Sequence, residues 1–109
     1  MVGGLSVPYR KRFSDSYTSY ILSDRWKIKR QSYFGRNGRI CQACGSRSNL
    51  VVHHLSYTNF MNEPLSDLLG VCQSCHREIH RLHRKSGRKD LRVVSLEYVR
   101  TRRLTTRKR

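Results

Sequence analysis

Long apolar runs are absent from this sequence, and so is an apolar leader. No stretch approaches the ~20 consecutive apolar residues that span a bilayer as a helix. The opening residues, MVGGLSVPYRKRF, lack the apolar segment of ~7–15 residues that marks a signal peptide. We therefore expect no membrane partner and a reducing, intracellular location, which makes the cytoplasm the predicted compartment.

Acidic residues are also scarce. The chain has 7 Asp and Glu against 23 Lys and Arg, for a formal net charge of +16. Residues 1–40 hold nine basic and two acidic side chains, residues 81–109 hold twelve and two, and residues 41–80 hold two and three. Because the two basic wings cannot pair their charges internally, they predict sequence-independent contacts with the phosphates of a polyanion. Such wings would deliver its backbone to the nearly neutral centre.

Cysteine is limited to four residues, and all of them lie in this centre. They form two CxxC pairs, CQAC at 41–44 and CQSC at 72–75. In a reducing compartment such pairs favour metal thiolates over disulfides, with free buried thiols and a redox pair as the alternatives. A zinc staple would also help a chain of 109 residues, whose core is modest. The predicted ligands of one structural Zn²⁺ are Cys41, Cys44, Cys72 and Cys75.

Local signals predict a small α+β protein. The predicted elements are a helix over 14–33, a turn at 36–38, strands at 50–55 and 68–71, a helix over 73–84 and another helix beyond Gly87. They divide the chain into a basic N-terminal segment with a helix packed on the core (1–40), the core itself (41–86) and a basic C-terminal extension (87–109). Trp26 and the tyrosines at 17, 20 and 33 invite base stacking, but their spacing favours packing in the core.

Four histidines of the centre have spacings that suit a second metal site. His76 and His80 are four residues apart on the predicted helix, so they share one face. His53 and His54 are neighbours on a predicted strand, so they point to opposite sides and cannot both face one ion. If the cysteines satisfy zinc, three of these histidines can bind a metal and one remains for acid–base work.

The order of these motifs resembles a known family. The stretches CQAC, VVHHL and SDLLGVCQSCHREIH are similar to the HNH endonucleases, the zinc-stapled branch of the ββα-metal nucleases, and the resemblance covers roughly residues 17 to 83. It implies a small ββα-metal (HNH) domain with two zinc knuckles, an N-terminal helix and a basic C-terminal extension. The stretch SYILSDRW also resembles the lead-in of many small phage and bacterial members. The resemblance therefore also implies a bacterial host cell and phage terminase or packaging proteins as partners.

The resemblance implies a role for each matching residue. His53, His76 and His80 match the ligands of one catalytic divalent ion (Mg²⁺, Mn²⁺, Ni²⁺ or Zn²⁺), and His54 matches the general base. Asp67 stands where the family usually has Asn, a residue that fixes the loop and helps to orient the base. The implied reaction is hydrolysis of DNA to 5′-phosphate and 3′-hydroxyl ends, and we expect nicking with low sequence specificity. Of the nearby acids, Glu63 is expected to be a solvated loop acid, with orientation of a ligand or water as the alternative, and Glu78 is expected to pair with an arginine.

Two functions stay open at this point. The first is this endonuclease, an enzyme. The second is a zinc-finger protein that binds nucleic acid, or a phage packaging accessory, without nuclease activity of its own. Both functions predict contacts with DNA, for which the candidate residues are Arg10, Lys11, Arg12, Lys27, Lys29, Arg30, Arg84, Lys85, Arg88 and Lys89.

Overall fold

The structure is a computed structural model that describes residues 16–87 and 89–107, without the side chains of residues 106 and 107. Within the described residues the elements are α1 (helical residues 16–21), α2 (Asp24–Asn37), β1 (Leu50–His54), a 3₁₀ turn (Leu65–Asp67), β2 (Leu68–Cys72), α3 (Gln73–Ser86) and α4 (Leu91–Arg107). The predicted α+β class is confirmed. None of the described helices is both long and apolar enough to cross a membrane.

The N-terminal helix differs from the prediction. A single helix over 14–33 is wrong, because the helical residues 16–21 are separated from α2 at residues 22 and 23. The Ser23 side chain accepts a hydrogen bond from the Trp26 backbone N–H at 3.2 Å and so caps α2. The helix then continues through the predicted turn to Gly38, whose φ of 85° ends it. Residues 14 and 15 lie outside the described part of the chain.

Strands β1 and β2 form an antiparallel hairpin, with both histidines of the doublet near the end of β1. His53 lies opposite Leu69, and His54 lies opposite Leu68. Because side chains alternate along a strand, the hairpin has two apolar faces. One face packs in a cluster of Tyr20, Trp26, Tyr33, Phe34, Val52 and Leu68. The other packs in a cluster of Cys41, Ala43, Leu55, Leu69, Val71, Cys72, Cys75, Ile79 and Val99.

Helix α2 sits close to the hairpin at Gly70. The Gly70 N–H donates to the Tyr33 hydroxyl at 2.8 Å, which links the helix to β2. A Cβ at residue 70 would lie 2.8 Å from Cε1 of Tyr33 and 3.2 Å from Cε1 of Phe34. Glycine therefore lets α2 pack against the face of β1 that carries His54.

Helix α4, in the predicted C-terminal extension, contributes to the core. Val94, Ser95 and Val99 are buried, and Val99 belongs to the same cluster as Ile79 of α3. Near the other end of α4, the Arg103 guanidinium donates to the carbonyl oxygen of Gln42 at 2.6 Å and to its side-chain oxygen at 2.8 Å. The helix thus reaches across α3 to the first CxxC pair. The predicted domain boundaries at residues 41 and 87 stay predictions.

Candidate metal and catalytic centre

The four cysteines meet in one cluster between the first CxxC turn and the start of α3. One sulfur from each of Cys41, Cys44, Cys72 and Cys75 lies within 4.8 Å of the others. The Cys44 and Cys72 sulfurs are 3.7 Å apart. Gly45, with φ of 84°, turns the chain back so that its N–H bonds to the Cys41 carbonyl at 3.0 Å. Four sulfurs in this arrangement can bind a structural zinc ion, as predicted.

The thiols of this cluster have unequal acidities. Burial alone would raise the pKa of the Cys41 thiol. Hydrogen bonds from the backbone N–H groups of Cys44, Cys72 and Ala43 outweigh this effect and lower the pKa to about 7. Burial raises the pKa of Cys75 to about 12, even though the Tyr98 hydroxyl donates to its sulfur at 3.2 Å. Four thiols this close together, three of them buried, cannot all ionise side by side unless a cation neutralises them. This is the electrostatic requirement that a bound Zn²⁺ meets.

A second cluster lies where β1 faces α3. One ring nitrogen from each of His53, His76 and His80 lies within 4.8 Å of the others, and Nε2 of His76 is 3.1 Å from Nε2 of His80. Burial, and then the neighbouring histidines, lower the pKa of His53 to about 3 and that of His76 to about 4. The imidazoles are therefore neutral at pH 7, which is the state that binds a metal ion.

His53 also supplies a direct test of whether this cluster fits a cation. Its side chain is fully buried, and its Nδ1 makes no hydrogen bond. Within the part of the chain that the structure describes, no other buried side-chain nitrogen or oxygen lacks a partner. A buried nitrogen without a hydrogen bond is costly unless another group binds it. A divalent cation shared with the two imidazoles of α3 would satisfy it, so the residues present fit such an ion.

His54 lies on the opposite face of β1 and has a different partner. Its Nε2 is 2.6 Å from Oε2 of Glu63. The other oxygen of that carboxylate accepts a hydrogen bond from the Tyr20 hydroxyl at 2.7 Å, and the Glu63 side chain is fully buried. The prediction that Glu63 is a solvated loop acid is therefore wrong. Its polar sequence context concealed this, because the burial comes from the distant helices α1 and α2, which pack against the loop.

The loop is tied down where it brings Glu63 to His54. Lys29 of α2 donates to the Glu63 carbonyl at 2.6 Å, and the Arg25 guanidinium donates to the Met61 carbonyl. Met61 has a φ of 78°, a left-handed conformation that costs about 1–3 kcal/mol in a non-glycine residue. Two side chains of α2 thus hold the loop in the position that places the Glu63 carboxylate against the His54 imidazole.

The charge of Glu63 fixes how His54 can act. Burial alone raises the pKa of this carboxyl, but hydrogen bonds from Tyr20 and His54 lower it more, so that it stays below its usual value. The ionised carboxylate can only accept a hydrogen bond, so the His54 proton sits on Nε2. The His54 nitrogen that can take up a further proton is then Nδ1.

Two aromatic rings restrict the imidazole of His54. Trp26 and Tyr57 each stack on it with ring centroids 4.9 Å apart, at interplanar angles of 17° and 23°. Trp26, Tyr20 and Tyr33 are buried, which confirms for these three the interpretation that they pack in the core. Tyr17 is only half-buried and stacks on Phe60. Sequence reasoning missed Tyr57, since it lies in a polar loop with no local pattern that singles it out.

Asp67 holds the loop and the end of β1. Its carboxylate accepts from Nη2 of Arg92 at 2.6 Å and from Nδ2 of Asn59 at 3.3 Å. Its carbonyl oxygen accepts from the Leu55 N–H at 2.7 Å. The contact with the His54 ring that the resemblance led us to expect near this position is made by Glu63 instead.

The predicted DNA-contacting residues occupy varied places. Lys27, Arg84, Lys85 and Lys89 are exposed, and the Lys89 ammonium lies 3.7 Å from Glu97. The Arg30 guanidinium lies over the Phe34 ring, 5.6 Å from its centroid. Lys29 donates to the Glu63 carbonyl. The other four predicted residues, which lie outside the described part of the chain, are Arg10, Lys11, Arg12 and Arg88.

Comparison with known proteins gives a distant similarity. The chain is 28% identical over 93 residues to the COX1/OXI3 intron 2 protein of Saccharomyces cerevisiae. The match covers 72% of this chain and 11% of the yeast protein, so the chain spans only a small part of that relative's length. No family model matches the chain, and no solved structure matches it.

Proposed function

We propose that this chain is a metal-dependent DNA endonuclease that hydrolyses phosphodiester bonds. The observation that carries the proposal is that two adjacent histidines contact different groups. His53 points to the two imidazoles of α3, while His54 points to the buried carboxylate of Glu63. A metal ion beside an oriented base would supply both electrostatic and general-base catalysis for the hydrolysis of a phosphodiester.

The proposed chemistry assigns a task to each group. A divalent ion held by His53, His76 and His80 would supply positive charge that stabilises the leaving 3′ oxygen. The His54 Nδ1 takes a proton from a water molecule as its oxygen attacks phosphorus. The bond between phosphorus and the 3′ oxygen breaks, and the leaving oxygen takes up a proton from solvent while His54 returns its own to solvent, which leaves a 5′-phosphate and a 3′-hydroxyl. Glu63 is a positioning residue, because it holds the other ring nitrogen and stabilises the imidazolium that forms.

The charge of the chain supports DNA as the substrate. The net charge is +16, and Lys27, Arg84 and Lys85 are exposed on α2 and α3. Such cations bind phosphates without reading sequence, which agrees with cleavage of low sequence specificity. The yeast relative is named for an intron, and this adds support for a role on nucleic acid. In this proposal the four cysteines hold a structural Zn²⁺, and Asp67 fixes the loop that carries Glu63.

Cleavage of supercoiled plasmid by the purified protein tests the proposal. Separate reactions contain Mg²⁺, Mn²⁺, Ni²⁺ or Zn²⁺, and a chelator reaction is the control. We expect nicked circles with 5′-phosphate ends in at least one metal and intact plasmid with chelator. A protein that shifts the plasmid in a gel but cleaves it in no metal would be a zinc-stabilised DNA-binding module. Linear product made in a single encounter would contradict nicking by a monomer.

A further inference from the structure

Ser95 of α4 has a fully buried polar side chain that contacts His53 of the histidine cluster. Its hydroxyl oxygen lies 2.9 Å from Nε2 of His53, and its hydroxyl donates to the Leu91 carbonyl at 2.7 Å. Ser95 and His53 are 42 residues apart in the chain. The contact therefore depends on how α4 packs against the rest of the fold, including α3.

Counting protons at this contact determines the tautomer of His53. A serine hydroxyl has one proton, and the Leu91 carbonyl can only accept, so the Ser95 proton is committed to that carbonyl. The Ser95 oxygen must then accept from His53, which places the ring proton on Nε2. The lone pair lies on Nδ1, the buried atom that has no hydrogen-bond partner.

We infer that Ser95 is a positioning residue that fixes His53 in the Nε2–H tautomer and so makes Nδ1 the atom that binds the metal ion. Helix α4 is then part of the metal site rather than only a carrier of basic residues. This inference rests on the proposed centre of His53, His76 and His80. A hydrogen bond from the second ring nitrogen to a fixed acceptor also sets the ring orientation, and removing such a hydrogen bond lowers metal affinity about 10- to 100-fold.

Replacement of Ser95 by Ala tests how the Ser95 hydroxyl affects the tautomer and the metal affinity of His53. Alanine is smaller and is a better helix former, so α4 should keep its place. The His53 N–H then has no acceptor at this position, and the ring is free to move its proton to Nδ1, where it blocks coordination. Ser86→Ala is the matched control, because the Ser86 hydroxyl, also in a helix, donates only to the His83 carbonyl.

Two measurements on the zinc-loaded protein test the inference. Calorimetric titration with Ni²⁺, an ion suited to imidazole ligands, should give affinities about 10- to 100-fold weaker in Ser95→Ala than in the wild type and in Ser86→Ala. Two-bond ¹H–¹⁵N spectra without Ni²⁺ should show His53 as Nε2–H in the wild type and with Nδ1–H populated in Ser95→Ala. A purely structural role for Ser95 would not change the tautomer.

The outcomes separate this inference from the proposed function. If the wild type and His80→Ala bind Ni²⁺ alike, the histidine cluster is not a metal site, and both proposals fail. If the wild type binds Ni²⁺ through the cluster and Ser95→Ala binds it equally well, only the role of Ser95 is overturned. A wild-type spectrum that shows His53 as Nδ1–H overturns it too.

Discussion

The immediate surroundings of His54 restrict one imidazole from three directions. Glu63 accepts from its Nε2 at 2.6 Å, and Trp26 and Tyr57 stack on its ring. In the proposed mechanism, a base held in this way would lose little further freedom when it meets substrate, so less of the barrier would arise from ordering the reactants. The negative charge of Glu63 also favours the imidazolium that proton transfer creates.

Glu63→Gln tests this arrangement. The amide keeps the size of the side chain but removes its charge, so we expect kcat to fall about tenfold to a hundredfold while the Kd for DNA stays the same. Single-turnover nicking measures the rate, and a DNA-binding titration measures the Kd. The control is Glu78→Gln, since Glu78 is an exposed acid that pairs with Arg81. Wild-type turnover in Glu63→Gln would show that the Glu63 carboxylate has no part in the mechanism.

Sequence reasoning predicted which cysteines and histidines cluster, but not the residues that contact the histidines. The cysteines and histidines could be predicted because their short spacings on turns, a strand and a helix already place them together. Glu63 lies nine residues from His54, and Ser95 lies 42 residues from His53. Both contacts depend on how a loop and a helix pack on the hairpin, and no local pattern encodes that packing.

At the scale of the elements, the packing of α2 on the hairpin depends on the close approach of α2 to β2 at Gly70. Gly70 lies under the rings of Tyr33 and Phe34, so the helix can reach the face of β1 that carries His54. Both strands and α3 were predicted to within two residues, because their turn residues and apolar runs are local signals. The break between α1 and α2 was not predicted. The residues around Ser23 also fit the pattern of one continuous helix, so the cap that Ser23 forms for α2 does not stand out in the sequence.

Gly70→Ala should destabilise the protein. The added methyl would lie 2.8 Å from Tyr33, and overpacking of this kind costs about 1–3 kcal/mol. Urea unfolding followed by fluorescence of Trp26 measures the change. Gly35→Ala is the control, because a Cβ at residue 35 of α2 has nothing within 4 Å and alanine favours a helix by up to about 1 kcal/mol. Equal stability of the two variants would mean that α2 does not pack as described.

The cysteine cluster joins the turn at 41–44 to the start of α3. Cys72→Ser removes one of four ligands, so we expect loss of most of the zinc and a large fall in the free energy of unfolding. Elemental analysis and a thermal melt give the result, with chelator-treated wild type as the comparison. A variant that keeps a full equivalent of zinc and the wild-type melting temperature would place the ion elsewhere.

For the whole molecule, charge is the property that most constrains its partner. Basic residues outnumber acidic ones by 23 to 7, yet the structure uses some of the cations internally. Arg92 pairs with Asp67, and Arg103 bonds to Gln42. The number of basic residues could be read from the sequence, but their availability for phosphate depends on these tertiary contacts. Exposed cations of α3 are the better candidates.

The double substitution Arg84→Gln, Lys85→Gln should weaken DNA binding for all sequences alike. If both side chains neutralise phosphates, the slope of log K against log salt falls by about 0.9 for each phosphate that the variant no longer neutralises. Fluorescence anisotropy over a range of salt concentrations measures it. Arg103→Gln is the control, since that guanidinium is already engaged with Gln42. An unchanged slope in the double variant would assign the end of α3 to some other role.

The comparison of His53→Ala with His54→Ala tests the central claim most directly. Calorimetric metal titration and single-turnover nicking of supercoiled plasmid are carried out on both variants and on the wild type. We predict that His54→Ala keeps the metal affinity and the DNA affinity but loses ~10²-fold or more in rate, as expected for removal of a general base. His53→Ala should lose metal affinity instead, with partial recovery in excess Mn²⁺. The account is contradicted if His54→Ala loses the metal while His53→Ala loses only rate.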